Sequence, residues 1–254
     1  MPVKMIVTDL DNTLLRRDKT ISNYTVSVFK QLRERGILTA FATARYFRTV
    51  EEWLIPSIGI RPDIVISLNG ACAYQNATFL YEATFSPEVG NALVRVLHKH
   101  GGKITAGTSR NRYTERPIEN THSSFTVDCC FDELINEEFH YVDVRGVDSS
   151  SLDGIAANLP DLRYQGYTDS ALITFLHVNA RKELALSSII KQLNLSSDEV
   201  IGFGDDHNDI EMLRECGIGV AVANAINECK AAADYICGDC DNDGVAKWLE
   251  RNVL

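Results

Sequence analysis

Two carboxylates, Asp9 and Asp11, stand two residues apart at the end of the short apolar run Met5-Ile6-Val7-Thr8. An apolar run that breaks into Asp9-Leu10-Asp11-Asn12-Thr13 reads as a buried strand entering a loop. In open α/β sheets, ligands gather at that carboxyl edge of the strands. Acids at i and i+2 leave a strand on the same side, so they crowd each other unless a cation or a shared proton intervenes. Alone, the pair could equally cap a helix.

Other residues supply partners. Gly204-Asp205-Asp206-His207-Asn208-Asp209 follows the apolar residues 200–203, again placing carboxylates after a buried strand and before a helix. If both strands share one parallel sheet, Asp9, Asp11 and Asp205 converge into a hard-oxygen cluster suited to Mg²⁺. Thr43-Ala44-Arg45 follows a strand ending at Ala42, which puts a hydroxyl and a guanidinium at the same edge. Lys182 opens a helix, where a cation can meet the same anion. Together these are a nucleophilic carboxylate, a neighbouring acid/base, a metal site, a hydroxyl and a lysine. That set is sufficient for phosphoryl transfer through an aspartyl-phosphate.

The elements that must position them alternate. After the Asp9 strand, a helix from about Ser22 carries Val26, Phe29 and Leu32 on one face and stops at Gly36. A strand at 37–42, a helix at 47–54 and a strand at 63–67 follow. Beyond Arg181 come a helix with Leu184, Ile189, Ile190 and Leu193, the strand 200–203, a helix at 208–216, a strand at 218–222 and a helix at 225–233. This alternation predicts a Rossmann-like parallel sheet with helices on both faces. Residues 81–180 have another texture: helical spacing at 88–100, strand-like pieces at 139–144 and 171–178, and a loop at Asp148-Ser149-Ser150-Ser151. They read as an inserted α+β domain, leaving 1–80 and 181–254 as the core.

The chain of 254 residues is long enough for one core plus a smaller insert, with 45% hydrophobic and 24% charged residues. Its net charge of -10 argues against a nucleic-acid partner. No stretch approaches the ~18 apolar residues of a membrane span, and residues 1–5 lack a signal-peptide pattern. Seven cysteines without framework spacing predict reduced thiols and a cytoplasmic location. Cys237-Gly238-Asp239-Cys240 has no second CxxC, so it reads as two plain thiols.

With these residues in place, the chain resembles a haloacid-dehalogenase-superfamily hydrolase of the Cof type (subfamily IIB), whose large cap is inserted after the third strand. Residues 9–15 resemble motif one, 42–45 motif two, Lys182 to Leu186 motif three, and Gly204 to Leu213 motif four. Asn69-Gly70-Ala71, Asn224-Ala225 with Lys230, and Asp243-Gly244-Val245-Ala246 resemble connecting pieces of the family. The chain departs at Asn12 and Ala44, where the family usually has glycine; asparagine tolerates left-handed backbone, whereas alanine there would cost about 1 kcal/mol.

The resemblance implies a Mg²⁺-dependent phosphatase acting on a small phosphorylated metabolite, sugar phosphates first and phosphorylated cofactors second, as a monomer or homodimer. Asp9 would be the nucleophile and Asp11 the acid/base. Mg²⁺ would be held by Asp9, Asp205 and the Asp11 main chain. Thr43, Lys182, Leu10 and Asn208 would bind phosphate, with Asp209 and Arg45 supporting that shell. The cap would read the leaving group through some of Arg110, Arg112, Tyr113, His122, Tyr164, Tyr167 and His177. A sugar phosphomutase on the same scaffold and a non-catalytic phosphate sensor are the alternatives.

Overall fold

The computed structural model describes residues 2–76, 78–115, 126–129, 131, 133–167 and 170–254. The chain forms two compact units, Met1–Glu82 with Arg181–Leu254, and Ala83–Ala180. The first begins with β1 (Met5–Thr8), α1 (Asn23–Glu34) and β2 (Leu38–Ala42). Next, α2 (Phe47–Thr49) runs through a π-helical stretch, Val50–Leu54, into α3 (Ile55–Ile58), then β3 (Ile64–Ser67), β4 (Cys72–Gln75) and β5 (Thr78–Glu82). The second unit holds α4 (Pro87–Lys99), β6 (Lys103–Thr108), β7 (Arg112–Thr114), β8 (Thr126–Asp128), β9 (Phe139–Arg145), α5 (Ser149–Ala157), β10 (Leu162–Tyr167) and β11 (Ser170–His177). The first unit resumes with α6 (Lys182–Gln192), β12 (Val200–Gly204), α7 (Ile210–Glu215), β13 (Ile218–Ala221), α8 (Asn227–Ala232), β14 (Tyr235–Ile236) and α9 (Gly244–Asn252).

The first unit's sheet runs β14-β13-β12-β1-β2-β3-β4-β5. Neighbours from β14 to β3 are parallel, with Thr8 opposite both Phe203 and Phe41. The residues following β1, β2 and β12 therefore leave at one edge, on either side of the central strand where the winding direction reverses. Met5, Val7, Ala40, Ala42, Ile64 and Ile66 form one face and bury against Ala185, Leu186, Ile189 and Ile190 of α6. On the opposite face, Phe29 of α1 lies against Phe41, and Trp248 of α9 against Phe203. Strict alternation of side chains along each strand makes this division.

Five local expectations change. The sheet is mixed, because β4 and β5 are antiparallel, and the insertion follows β5, not the third strand. The cause lies at Leu68, Asn69 and Gly70, whose positive φ values (52°, 54° and 90°) turn the chain back on itself. Residues 149–151 are no loop: they open α5 behind the extended Asp148, as polar residues at a helix start often do. Leu184 is exposed, since α6 buries the stripe Lys182, Ala185, Leu186, Ile189 and Ile190 at helical spacing. Val26 is only partly buried, and α1 instead buries Thr25, Val28, Phe29 and Leu32.

The second unit is a six-stranded sheet in the order β10-β11-β9-β6-β7-β8, antiparallel except for β7 with β8. Leu93, Val94 and Leu97 of α4 and Leu152 and Ile155 of α5 share its core with Ile104, Phe139, Val142, Val144 and Phe175. Among the described residues, no helix is long and apolar enough to cross a membrane.

Candidate active site

Asp9 takes its place from β1: its amide donates to the Phe203 carbonyl of β12 at 2.9 Å, which ties the loop to the sheet edge. Lys182, the first residue of α6, is completely buried, as is Asp209. Its ammonium donates at 2.6 Å to Asp9 Oδ1 and at 2.6 Å to Asp209 Oδ1. The other oxygen of Asp209 accepts from the amides of Asp205 (3.0 Å) and Asp206 (3.2 Å), so Asp209 fixes the loop and the lysine together. Thr13 Oγ1 donates to Asp205 Oδ1 at 2.6 Å. Ligand atoms of Asp9, Asp205 and Asp209 all lie within 4.8 Å of one another.

Glycine is needed where the backbone brings Lys182 in. Gly70 has φ 90°, and a Cβ on it would lie 2.2 Å from the Arg181 carbonyl carbon. Such an approach is open only to a residue without a side chain.

Electrostatics separate the acids. Burial, then the charges of Asp209 and Asp205, push the Asp9 carboxyl well above its usual range, and Lys182 pulls only partly against them. Burial and Asp209 push Asp205 up to about 7, against the Thr13 hydrogen bond. Burial would lower Lys182, but Asp209 and Asp9 reverse it and hold the ammonium charged. Three clustered acids, Asp9 and Asp209 buried and Asp205 partly so, facing one lysine leave an excess of negative charge. Asp9 Oδ2 and Asp205 Oδ2 accept no hydrogen bond from any described residue. The donor set of buried hard oxygens fits a small divalent cation.

Asp11 is placed elsewhere. Arg45, just beyond β2, donates to it bidentately, Nε to Oδ2 at 2.8 Å and Nη2 to Oδ1 at 2.7 Å. Lys19 Nζ lies 3.0 Å from the same Oδ1. Burial would raise this carboxyl, but hydrogen bonds from Arg45 and Lys19 outweigh it and hold Asp11 below the usual carboxylate range. Its carboxylate does not join the Asp9–Asp205–Asp209 cluster.

The remaining candidates divide. Thr43 is buried at the same edge, its amide donating to the Ile66 carbonyl and its hydroxyl accepting from the Arg45 amide at 3.1 Å. Leu10 has a fully buried side chain and a carbonyl taken by the amides of Thr13 and Leu15, which leaves only its amide to offer a ligand. Asn208 turns to Asn69, Nδ2 to Oδ1 at 2.8 Å, and is not hydrogen-bonded to the acids. Asp206 caps the short turn His207–Asp209, accepting from the His207 amide.

Asn12 adopts φ 65°, so asparagine does take the left-handed turn, and its carbonyl accepts from Asn224 Nδ2 at 2.7 Å. Ala44 is not among the residues of positive φ, so no strain arises there. The sequence reading missed Thr13, Lys19, Asn69 and Asn224 as contacts of the site. Asn69 and Asn224 stand out in the sequence only as family-like connecting pieces, and Lys19 only as a cation in a short polar turn. Cys237 and Cys240 are free thiols, pushed up by burial to about 12 and 11.

In the second unit, Tyr113 donates to Glu137 at 3.0 Å, Tyr164 to Asp153 at 2.5 Å, and His177 Nδ1 accepts from the Asn179 amide. The Arg110 amide donates to Thr108 Oγ1, while Arg112 lies on β7; the side chain of Tyr167 and all of His122 fall outside the described residues.

Comparisons with known proteins agree on the family. The family of haloacid dehalogenase-like hydrolases matches residues 6–249. The chain is 26% identical over 260 residues to a 5-amino-6-(5-phospho-D-ribitylamino)uracil phosphatase of Bacillus subtilis, spanning 99% of this chain and 96% of that protein. It is 27% identical over 267 residues to an HMP-PP phosphatase of Yersinia pseudotuberculosis, spanning 96% and 93%. Its fold matches that of a subclass IIB sugar phosphatase of the same superfamily with TM-score 0.78 at 23% identity, covering 98% of each chain. The chain therefore belongs to the haloacid dehalogenase-like hydrolases.

Proposed function

We propose that this hydrolase is a Mg²⁺-dependent phosphatase that cleaves small phosphorylated metabolites, sugar phosphates foremost, through a phosphorylated Asp9. The observation that carries the reading is Asp9 itself. Lys182 pins one of its carboxylate oxygens, while the other has no donor among the described residues and stands beside the acids that would hold a cation. A carboxylate attacking phosphorus needs that free oxygen, and a fixed one is pre-organised for it.

Asp9, Asp205 and the Asp11 main-chain carbonyl would hold Mg²⁺. When bound, the ion would cancel the repulsion between carboxylate and phosphate and stabilise charge on the non-bridging oxygens. Thr43, Lys182 and the Leu10 amide would bind those oxygens, with Asn208 completing the shell and Asp209 orienting Lys182. Asp9 attacks phosphorus, the bond to the leaving oxygen breaks, and Asp11 gives that oxygen a proton to release the alcohol. Water then attacks phosphorus and loses a proton to Asp11. The bond to Asp9 breaks, freeing inorganic phosphate and restoring the Asp9 carboxylate and the protonated Asp11. Without substrate, Arg45 and Lys19 hold Asp11 ionised. A phosphate dianion arriving beside it opposes that pull and favours the protonated form.

One relative supports the substrate class, since it is named as the phosphatase of a small metabolite carrying its phosphate on a ribityl chain, and another is named as an HMP-PP phosphatase. The test is a panel of phosphorylated metabolites assayed for phosphate release with Mg²⁺ or EDTA. Release that needs Mg²⁺ and vanishes in a folded Asp9→Asn variant is expected. Release unaffected by that variant refutes the scheme, and isomerised sugar without free phosphate replaces it with a mutase.

A further inference from the structure

Lys19 lies in a tight turn, closed by the Arg16 amide on the Thr20 carbonyl (3.0 Å) and the Lys19 amide on the Arg16 carbonyl (2.9 Å). Its φ is 66°, a left-handed backbone that a lysine rarely adopts. The turn is braced from inside, where Asp18 accepts from the Thr20 amide and hydroxyl at 2.9 and 2.6 Å. It is also braced from outside. Arg16 reaches Asp243 at 3.2 Å, while Arg17 holds Asp239 at 3.0 Å and also pairs with Asp241. The product of this bracing is one contact, Lys19 Nζ at 3.0 Å from Asp11 Oδ1.

The Lys19 side chain is 49% exposed and that of Asp11 32%. An ion pair this open adds little to stability. A left-handed lysine and two arginine tethers are more than folding requires, and strained backbone held in place by its surroundings concentrates at working sites.

We propose that Lys19 is a positioning residue that aims the Asp11 carboxyl at the leaving oxygen. The inference rests on the proposed role of Asp11 as proton carrier. Arg45 grips both oxygens of Asp11 from the end of β2, but guanidinium and carboxylate can swing together on their flexible stems. Lys19 adds a donor to Oδ1 from a separate element, so the carboxyl is fixed from two directions. It is also kept from turning into the cluster of Asp9, Asp205 and Asp209, where it would serve as a further metal ligand and cease to carry protons.

The test uses leaving groups. An alkyl phosphate taken from the panel releases an alkoxide and needs the proton; p-nitrophenyl phosphate releases a stable phenolate and does not. Lys19→Asn suits the left-handed turn and removes the cation, so it should unfold at the wild-type temperature. It is expected to lower kcat on the alkyl ester roughly tenfold, part of what a positioned acid contributes, with p-nitrophenyl phosphate turnover nearly unchanged. Lys19→Arg, which restores a cation, should recover the alkyl rate. Equal losses on both esters, or no loss on either, overturn the inference. Wild-type protein inert on both overturns the phosphatase reading and this inference with it, a distinct result.

Discussion

Replacing Lys182 by methionine keeps the length and apolar stem of a fully buried side chain and deletes only its charge. Its ammonium makes two contacts of 2.6 Å, to Asp9 and Asp209. At an effective dielectric of about 20, each attraction is on the order of 6 kcal/mol. Burying the ammonium cancels much of this, at several kcal/mol per ion. The deletion also leaves Asp9, Asp205 and Asp209 crowded with no cation, and breaking a buried pair in this way costs about 3–5 kcal/mol. The sign with pH follows from the acids. Asp9 and Asp205 already lie above their usual range, so folding takes up protons, and that stabilisation grows as pH falls. Without Lys182 they rise further, and the deficit at pH 7 should shrink at pH 5. Urea unfolding in EDTA reports it, because both tryptophans, Trp53 and Trp248, belong to the first unit. A loss below about 1 kcal/mol at pH 7, or a larger deficit at pH 5, refutes the reasoning, since either means Lys182 is not the counter-charge of these acids.

Other outcomes follow from single contacts. Gly70→Ala should cost about 2–4 kcal/mol, combining a strained φ with a clash on Arg181, and should reduce phosphate release, because Lys182 is displaced with its neighbour. Thermal unfolding and the panel assay measure both. Asp143 of β9 is pushed up to about 6 by burial, despite the Thr174 hydrogen bond and the nearby arginines 112 and 145. Its folded carboxyl holds a proton more tightly than the unfolded one, so it destabilises the fold progressively from about pH 4 to 6. Asp143→Asn should therefore add about 1–2 kcal/mol at pH 7 and nothing at pH 4 in paired urea titrations. Asn12→Ala should lose about 1 kcal/mol in its left-handed turn, whereas Ala44→Gly should gain nothing and lose roughly 0.5 kcal/mol to chain entropy.

Particular residues explain what could be read in advance. Residues 5–8 and 200–203 are short apolar runs followed by acids, buried along their whole length, and parallel register is enough to bring Asp9, Thr43 and Asp205 to one edge. Asn69-Gly70 is a turn dipeptide, but the antiparallel return of β4 against β3 was not read from it, because the reversal also needs Leu68 at positive φ, where a leucine gives no signal. Nor were the long-range partners: Thr13 meets Asp205 across 192 positions, and Asn224 meets Asn12 across 212. The separation of Asp11 from the acidic cluster also escaped the reading. It depends on two cations from different elements, and charge spacing along the chain does not encode which carboxylate each will choose. Ser149 to Ser151 illustrate the opposite error, in which polar composition suggested a loop where a helix begins.

The central claim is that phosphorus becomes covalently attached to Asp9. Quenching the enzyme in acid during turnover of a phosphate ester, then reducing with borohydride, converts an aspartyl-phosphate to homoserine. Homoserine at position 9 is expected by peptide mass spectrometry, dependent on substrate and absent from Asp9→Asn. Active enzyme that yields no reduced residue at position 9, or reduction at another carboxylate, contradicts it.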